Sequence, residues 1–367
     1  MRTSYGYDTY RGRSRTRTVL MAIIVILLVV LLLAIAAFFF LQQFMVYTDD
    51  GQWHLELPFL QNQEEIQSTL PPVESQTIIV VTPPPTPSPT PEPEPTITAV
   101  WLLRSSITEG NAAQLVQSLG GNAAVFNMKS DDGMLGYVSD LPLARDMRTS
   151  QADPGLNDAI RTLNDSGLYT IARVSCFKDN AAPRMNNSLA IKTNSGYNWT
   201  DAEGIRWTNV AAAEARSYLV DICKELAELG FDEILLENAA YPVEGNLSHI
   251  KEGDTYDPEE LSTPVEQFYR EAAEALEGTG VKLSIATQPA VLDGAGDESG
   301  QTPALLGAYA QRVYVTVPET ADAYSAALRE AGLEEKQLVY STATNLTADE
   351  LGEGISTLVM FSSGIKK

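Results

Sequence analysis

The residues most suited to chemistry lie at the end of one predicted strand. Glu237 ends a short apolar run that begins at Glu233, and Asn238 follows it. In a barrel of parallel strands, catalysis is usually done at the carboxyl ends of the strands. Strand alternation places Glu237 on the face opposite the aliphatic residues Ile234 and Leu236. Glu237 is therefore predicted to point into the barrel, where burial would raise its pKa and suit it to a general acid.

Two basic residues offer Glu237 another role. Arg173 lies inward on the third predicted strand, and Lys129 ends the second on the same face as Asn127. An inward base would pair with the carboxylate and favour its ionised form. The sequence leaves both roles of Glu237 open, and we expect Lys129 and Arg173 to orient the site or tune its charge.

Hydrolysis of a glycoside usually requires a second carboxylate. The seventh predicted strand ends in Ser341 and Thr342 and supplies no acid there. Acidic residues that follow other predicted strands are candidates, although most loop acids simply face solvent: Asp131, Asp132, Asp179, Asp293 and Glu319. We take Asp131, Asp132 or Asp179 as the partner of Glu237.

A long segment after the third strand could bind the substrate. About 30 residues separate Phe177 from Asn209 without an obvious element of their own, and long loops are often functional. Its aromatic residues Trp199 and Trp207 could stack on sugar rings, or they could pack the loop onto the barrel. The other candidate substrate-binding residues are Asn127, Lys178, Asn238, Gln288 and Tyr314.

Strand and helix patterns alternate from residue 97 onward. The predicted strands are 97–103, 123–129, 169–176, 233–238, 282–288, 312–317, 336–342 and 357–363. Amphipathic helical patterns lie between most of them: 111–119, 156–165, 210–229, 264–276 and 321–331. Eight strands in this order predict a closed (β/α)₈ TIM barrel. An open doubly wound sheet is the alternative, although the first strand is not followed by a GxGxxG fingerprint.

The sequence before the barrel predicts a membrane anchor. Residues 1–18 form a basic tail, and residues 19–41 carry no charge and are long enough to span a bilayer. Arginines before this segment predict a cytoplasmic tail and an extracytoplasmic barrel. Residues 42–81 are a juxtamembrane segment with a possible hairpin, residues 82–96 a Pro-rich linker, and residues 97–367 the barrel.

Composition narrows the classes of partner. The chain has 48 acidic and 25 basic residues, and its net charge is −23. Five arginines lie in the first 18 residues, so the remainder carries 47 acidic and 20 basic residues. The electrostatic field of this acidic part of the chain repels nucleic acid. The sequence also contains no residue spacing typical of a metal site. We therefore expect no nucleic acid, metal or cofactor, and two cysteines that are free and buried.

Four segments carry a family resemblance. They read NAAVFNMKSDDG, YTIARVSCFKD, EGIRWTNV and ELAELGFDEILLENAAYP. Together they resemble the bacterial glycosyl-hydrolase-like family with a TIM-barrel domain, which is related at a distance to the alpha-amylase-like barrels. The resemblance covers residue 97 to the C-terminus, and members are often tethered outside the cell by an N-terminal anchor.

The resemblance implies a reduced set of acids in this chain. The family commonly has an acid where this chain has Asn127, an arginine at Ala240 and a further acid at Ala286, so that only Glu237 remains of three inward acids. The resemblance thus implies a glycoside-hydrolase-like barrel that acts on or binds polysaccharide. A catalytically inactive barrel that binds glycan or protein is the alternative, and a structural module of the cell envelope is a further one.

Overall fold

A computed structural model describes residues 45–47, 53–55, 96–253, 255–292, 299–316, 338–342 and 356–359. The chain divides into two compact units, residues 1–87 and 88–367. In the first unit, strands β1 (Met45–Tyr47) and β2 (Trp53–Leu55) pair antiparallel. This is the hairpin that the Asp-Gly turn and the flanking alternation predict.

Eight parallel strands close into a barrel in the second unit, with the order β10-β3-β4-β5-β6-β7-β8-β9. The last strand pairs with both the seventh and the first, which completes the closure. The strands are β3 (Thr98–Leu102), β4 (Ala123–Lys129), β5 (Tyr169–Ser175), β6 (Glu233–Glu237), β7 (Lys282–Thr287), β8 (Arg312–Thr316), β9 (Leu338–Thr342) and β10 (Ser356–Val359). The predicted closed barrel is confirmed, and the open sheet is wrong.

Helices connect the strands of the barrel. The described helices are α1 (Ser105–Thr108), α2 (Ala112–Ser118), α3 (Pro142–Met147), α4 (Leu156–Asn164), α5 (Ala182–Met185), α6 (Ala213–Glu228), α7 (Ser262–Leu276), α8 (Pro289–Leu292) and α9 (Pro303–Tyr309). Four of the five predicted helices correspond to α2, α4, α6 and α7. The fifth, 321–331, lies outside the described residues.

The barrel buries two apolar layers because its strands alternate. Leu235, Val125 and Ile171 belong to a cluster inside the barrel, which Val339 and Leu358 also join. Residues one position away, such as Ile234 and Leu236, pack into the larger cluster that includes the helices. This alternation puts Glu233 and Glu237 on the inner face of β6, at its two ends.

A glycine sets the entry to β6. Helix α6 ends at Glu228, and Gly230 two residues later has a φ of 90°. Only glycine takes this left-handed conformation without a Cβ clash with its own backbone, so the position terminates the helix cleanly. Phe231 is then buried, and β6 begins at Glu233.

The amino end of the barrel interior holds a buried ionic network. Glu233 is fully buried and is contacted by Nη1 of Arg312. Tyr169 Oη and Tyr314 Oη each donate to Glu233 at 2.8 Å. Burial and the neighbouring Glu233 carboxylate raise the pKa of Tyr314 well above its usual range, which keeps the phenol protonated as a donor. The network pins β5, β6 and β8 together at one end.

Among the described residues, no helix is long and apolar enough to span a membrane. The predicted span, 19–41, lies outside them, as do residues 82–95 of the predicted linker.

Replacing Glu233 with glutamine should destabilise the barrel by about 3–5 kcal/mol, the usual cost of removing one partner of a buried ion pair. The reason is that Arg312 would remain buried beside a neutral amide. The free energy of unfolding, measured by urea denaturation, checks this. Glu277→Gln, an exposed change just after α7, is the control and should alter stability by less than about 0.5 kcal/mol. Equal effects of the two replacements would contradict a structural role for the network.

Candidate active site

A cleft opens at the carboxyl ends of the barrel strands. Its cavity volume is about 190 Å³. Leu235 and Ala286 lie at its floor, and Glu237, Trp207 and Gln288 are among the residues that line it. This is the end of a parallel barrel at which ligands bind, because the loops that follow the strands converge there.

Arg173 organises the charged side of this cleft. Its Nε contacts the Glu237 carboxylate, and its Nη2 donates to Asp131 Oδ1 at 2.8 Å. Nη1 donates to Asn127 Oδ1 at 3.1 Å, and the guanidinium carbon lies 5.5 Å from the ring centroid of Trp101. Burial alone would lower the pKa of Arg173, but the carboxylates of Glu237 and Asp131 outweigh it and raise the pKa. The structure thus gives Glu237 the ion pair that the sequence left open, with Arg173 as the partner.

Arg173 brings two carboxylates close together. Nη2 contacts Asp131 at 2.8 Å and Glu237 at a shorter distance, so the two contacting oxygens are less than twice 2.8 Å apart. Retaining glycosidases hold their two carboxyl groups about 5–5.5 Å apart, and inverting enzymes about 6.5–9.5 Å. Asp131 is therefore the predicted partner acid that the structure brings to Glu237, at a separation compatible with the shorter of the two ranges.

The charged and polar neighbours of Asp131 favour its ionised form. Burial would raise the pKa of Asp131, but Arg173, a hydrogen bond with Ser175 and the charge of Lys178 together lower it. Asp131 is thus held ionised, which suits a nucleophile or a base and not a proton donor. About one third of each side chain is exposed, 34 % for Asp131 and 33 % for Glu237.

Lys178 connects this pair to the long loop after β5. Its Nζ lies 2.5 Å from Glu203, 3.3 Å from Asp201 and 3.6 Å from Asp131. Burial would lower the pKa of Lys178, but these three carboxylates raise it. Asp201 in turn accepts from Trp207 Nε1 at 3.0 Å. The lysine therefore fixes one wall of the cleft through loop residues far apart in sequence.

Asn238 turns the chain at the end of β6. Its φ is 50°, the left-handed region that asparagine tolerates better than most residues. Its side-chain amide donates to Ser175 Oγ at 2.9 Å, and its backbone carbonyl accepts from the backbone N–H of Phe177. Asn238 therefore lines the cleft and also ties β6 to β5 beside Glu237.

Lys129 and Asp179 do not take the predicted site roles. Lys129 is fully buried, and its Nζ contacts Asp179 at 2.8 Å and the carbonyl of Ser175 at 2.7 Å. Asp179 also accepts from the backbone N–H groups of Ala181 and Ala182. The register between β4 and β5 shifts between Asn127 and Lys129. This buried ion pair holds the loop after β5, and neither residue is among those that line the cleft.

Three more predicted residues have structural partners. Asp132 contacts Ser130 Oγ and accepts from the backbone N–H of Met134 at 3.3 Å, so it caps its own turn. Trp199 is only 2 % exposed and donates to the carbonyl of Asn246, so its ring cannot stack on a ligand. Tyr314 lines the floor of the cleft, but its hydroxyl is committed to Glu233. Asp132 and Trp199 do not line the cleft, and Tyr314 offers it only part of its ring.

The remaining predictions divide into residues at the cleft and residues outside the described structure. Lys178, Trp207, Asn238 and Gln288 all line the cleft together with Glu237, and Asn127 joins it through Arg173. Asp293 and Glu319 lie outside the described residues. The long loop also contains more secondary structure than predicted, since α5, a short 3-10 helix and several antiparallel bridges lie within it.

Sequence reasoning missed several residues of the cleft. Trp101, Tyr241, Asp201 and Glu244 all line it. Trp101 could have been found, because strand alternation places it on the same inward face as Ala99. Asp201 carries no such signal, since it lies in a turn whose position depends on loop pairing.

The described part of the chain contains no group of three or more His, Cys, Asp or Glu residues placed to hold a metal ion. Both cysteines, Cys176 and Cys223, are free and buried. Burial raises the pKa of Cys223 to about 12, so its thiol stays protonated and unreactive at neutral pH.

The closed parallel barrel, with paired carboxylates in a cleft at the carboxyl ends of its strands, has the architecture of a glycoside-hydrolase-like domain. Residues 99–316 match the family described as "putative glycosyl hydrolase domain". The match covers more than half of the chain, and the chain belongs to this family. The predicted family resemblance is confirmed to this extent. No curated protein matches the chain.

Solved structures with a similar fold include barrels from several organisms. A hypothetical protein from Ruminiclostridium thermocellum is 26 % identical over 51 % of this chain and 96 % of its own, with a TM-score of 0.44. The PgaB (BpsB) glycoside hydrolase domain from Bordetella bronchiseptica is 12 % identical over 67 % of this chain and 84 % of its own, with a TM-score of 0.47. The Group II chitinase catalytic domain 2 of Ostrinia furnacalis is 12 % identical over 68 % of this chain and 64 % of its own, with a TM-score of 0.42. At these scores the likenesses say nothing about the substrate of this chain.

Asp131 should stabilise the fold in a pH-dependent way. Its pKa in the folded protein lies below the ordinary value of 3.8, so its contribution is fully present above that value and is lost as the pH falls through the folded pKa. The difference in unfolding free energy between the wild type and Asp131→Asn should be constant above about pH 5 and shrink below about pH 4. Denaturant titrations at several pH values check this, with Asp146→Asn as a surface control. A difference that stayed constant down to pH 2.5 would contradict the lowered pKa.

Proposed function

We propose that the barrel binds a polysaccharide in the cleft at the carboxyl ends of its strands. The observation that carries this proposal is the shared contact of Glu237 and Asp131 with Arg173, at the wall of a cleft with aromatic and amide side chains. Trp101 and Trp207 line the cleft and contribute apolar surface of the kind that pyranose rings pack against. Glu237, Asn238 and Gln288 provide acceptors and donors for sugar hydroxyl groups.

Binding without turnover is favoured by the charge at the site. A general acid must carry a proton before the reaction, and a cation in contact with a carboxylate stabilises its ionised form. Arg173 contacts both carboxylates, and the pKa of Asp131 is lowered. Asp131 therefore lacks the raised pKa that keeps the acid of a glycosidase protonated.

Hydrolysis of a glycosidic bond is the second candidate function. It is favoured by the close approach of Glu237 and Asp131, whose contacting oxygens are less than twice 2.8 Å apart. In that case Asp131 would act as the ionised nucleophile and Glu237 as the acid, once a bound substrate had displaced Arg173 from it.

A glycan panel separates these functions. The purified full-length chain, in mild detergent, is tested for binding and for released reducing ends, beside Glu237→Gln and Gln288→Ala. Binding should weaken about twofold to tenfold in each variant, the effect of one lost hydrogen bond. The control Glu277→Gln should bind like the wild type.

The released reducing ends decide between the two candidates. Binding without release supports a binding barrel. Release that Glu237→Gln abolishes supports hydrolysis with Glu237 as the acid, and release that survives the change removes Glu237 from catalysis. Neither binding nor release would contradict both functions and favour a structural role in the envelope.

We also propose that the barrel lies outside the cytoplasmic membrane, held by residues 19–41. The support is the sequence, in which this uncharged segment follows five arginines and precedes a Pro-rich linker. In cells that carry the full chain with a tag at each end, added protease should remove the C-terminal tag and spare the N-terminal one. Protection of the C-terminal tag in intact cells, followed by its loss after lysis, would contradict this orientation.

A further inference from the structure

The charges around the cleft are unequal in number. Two cations, Arg173 and Lys178, lie among five carboxylates, which are Asp131, Asp201, Glu203, Glu237 and Glu244. Each cation already contacts at least two of these carboxylates. Two cations cannot neutralise five anions, so this described group of side chains has an excess of three negative charges. Lys178, Asp201, Glu237 and Glu244 line the cleft itself, and the other three contact them.

The negatively charged side chains of this group are more exposed to solvent than the positively charged ones. The Arg173 and Lys178 side chains are 8 % and 13 % exposed, whereas those of Glu237 and Glu203 are 33 % and 71 % exposed. Glu244 is exposed as well. The cations therefore lie beneath the carboxylates, and a ligand that enters the cleft meets the carboxylates first. A concave surface lined by one sign of charge concentrates ligands of the opposite sign.

We infer that the polysaccharide bound in this cleft carries free amino groups. The inference rests on the proposed binding function and names the class of its ligand. A chain of hexosamine units without N-acetyl groups is fully cationic at mildly acidic pH, because the amine of a 2-amino sugar is a weaker base than an alkyl amine. Its ammonium groups would pair with the exposed carboxylates of Glu203, Glu237 and Glu244. Polymers of uronic acids or phosphorylated sugars would meet like charges, which disfavour association. A neutral glycan gains the aromatic contacts but not the ionic ones.

Three matched probes test this inference with the full-length chain. They are a glucosamine hexamer, an N-acetylglucosamine hexamer and a galacturonate hexamer, each titrated by calorimetry at mildly acidic pH, at low salt and at about 1 M salt. The glucosamine hexamer should bind at least about tenfold more tightly than the acetylated one at low salt. This preference should shrink at high salt, because a Debye length of about 3 Å screens exposed charges. The galacturonate hexamer should bind weakest.

Two variants locate the effect in the cleft. Glu244→Gln should reduce the preference for the glucosamine hexamer about twofold to fivefold, the size expected for one exposed charge pair. Glu277→Gln, an equal charge change at the opposite end of the barrel, should leave the preference unchanged.

The outcomes distinguish this inference from the function beneath it. Equal or tighter binding of the acetylated or galacturonate hexamer would overturn the charge preference while leaving glycan binding in place. A preference that Glu277→Gln reduces as much as Glu244→Gln would also overturn it, since the general surface charge would then be the cause. Binding of none of the three hexamers would overturn both.

Discussion

The site depends on one buried cation, the guanidinium of Arg173. Removing this group from water is costly, and it is stabilised here by contacts on every side: two carboxylates, the Asn127 amide, the carbonyl of Lys129 and the ring of Trp101. Arg173 lies on β5, and the contacts come from β3, from β4 and its following loop, and from β6. Because Arg173 uses a rigid planar fork to hold them, it fixes the distance between Asp131 and Glu237. A lysine at this position could not orient both carboxylates in the same way.

This arrangement sets the chemical choice between binding and turnover. Arg173 contacts both carboxylates and lowers the pKa of Asp131, which suits hydrogen bonds to sugar hydroxyl groups and pairing with a cationic ligand. Hydrolysis would need one of them to take up a proton, so the Arg173 contact with Glu237 would have to weaken in the complex. Two neutral residues lie beside this pair: Asn127 accepts a hydrogen bond from Arg173, and Ala286 lines the cleft without an ionisable group.

The fold could be predicted from the sequence to a greater extent than the site. Strand alternation alone places Glu237 inside the barrel, because Ile234 and Leu236 must face the helices, and the inward base on the neighbouring strand is Arg173. The partners of Lys129 and Asp179 could not be found in this way. They depend on a register shift after Asn127 and on the backbone carbonyl of Ser175 at the end of β5, which accepts from Lys129. Tryptophan is a residue type that often binds sugars, but the pairing of the loop that contains Trp199 turns its ring inward.

Two ion pairs on β6 show how one motif serves two purposes. Glu233 and Glu237 share the inner face of one strand, each paired with an arginine from another strand, and Leu235 lies between them. At the amino end Glu233 is fully buried, and its oxygens are used by Arg312 and by two tyrosines. At the carboxyl end Glu237 is one third exposed and opens onto the cleft. The pairing with arginine therefore does not distinguish a structural acid from a functional one. What distinguishes them is the remaining hydrogen-bonding capacity, which the barrel uses fully at Glu233 and leaves available to a ligand at Glu237.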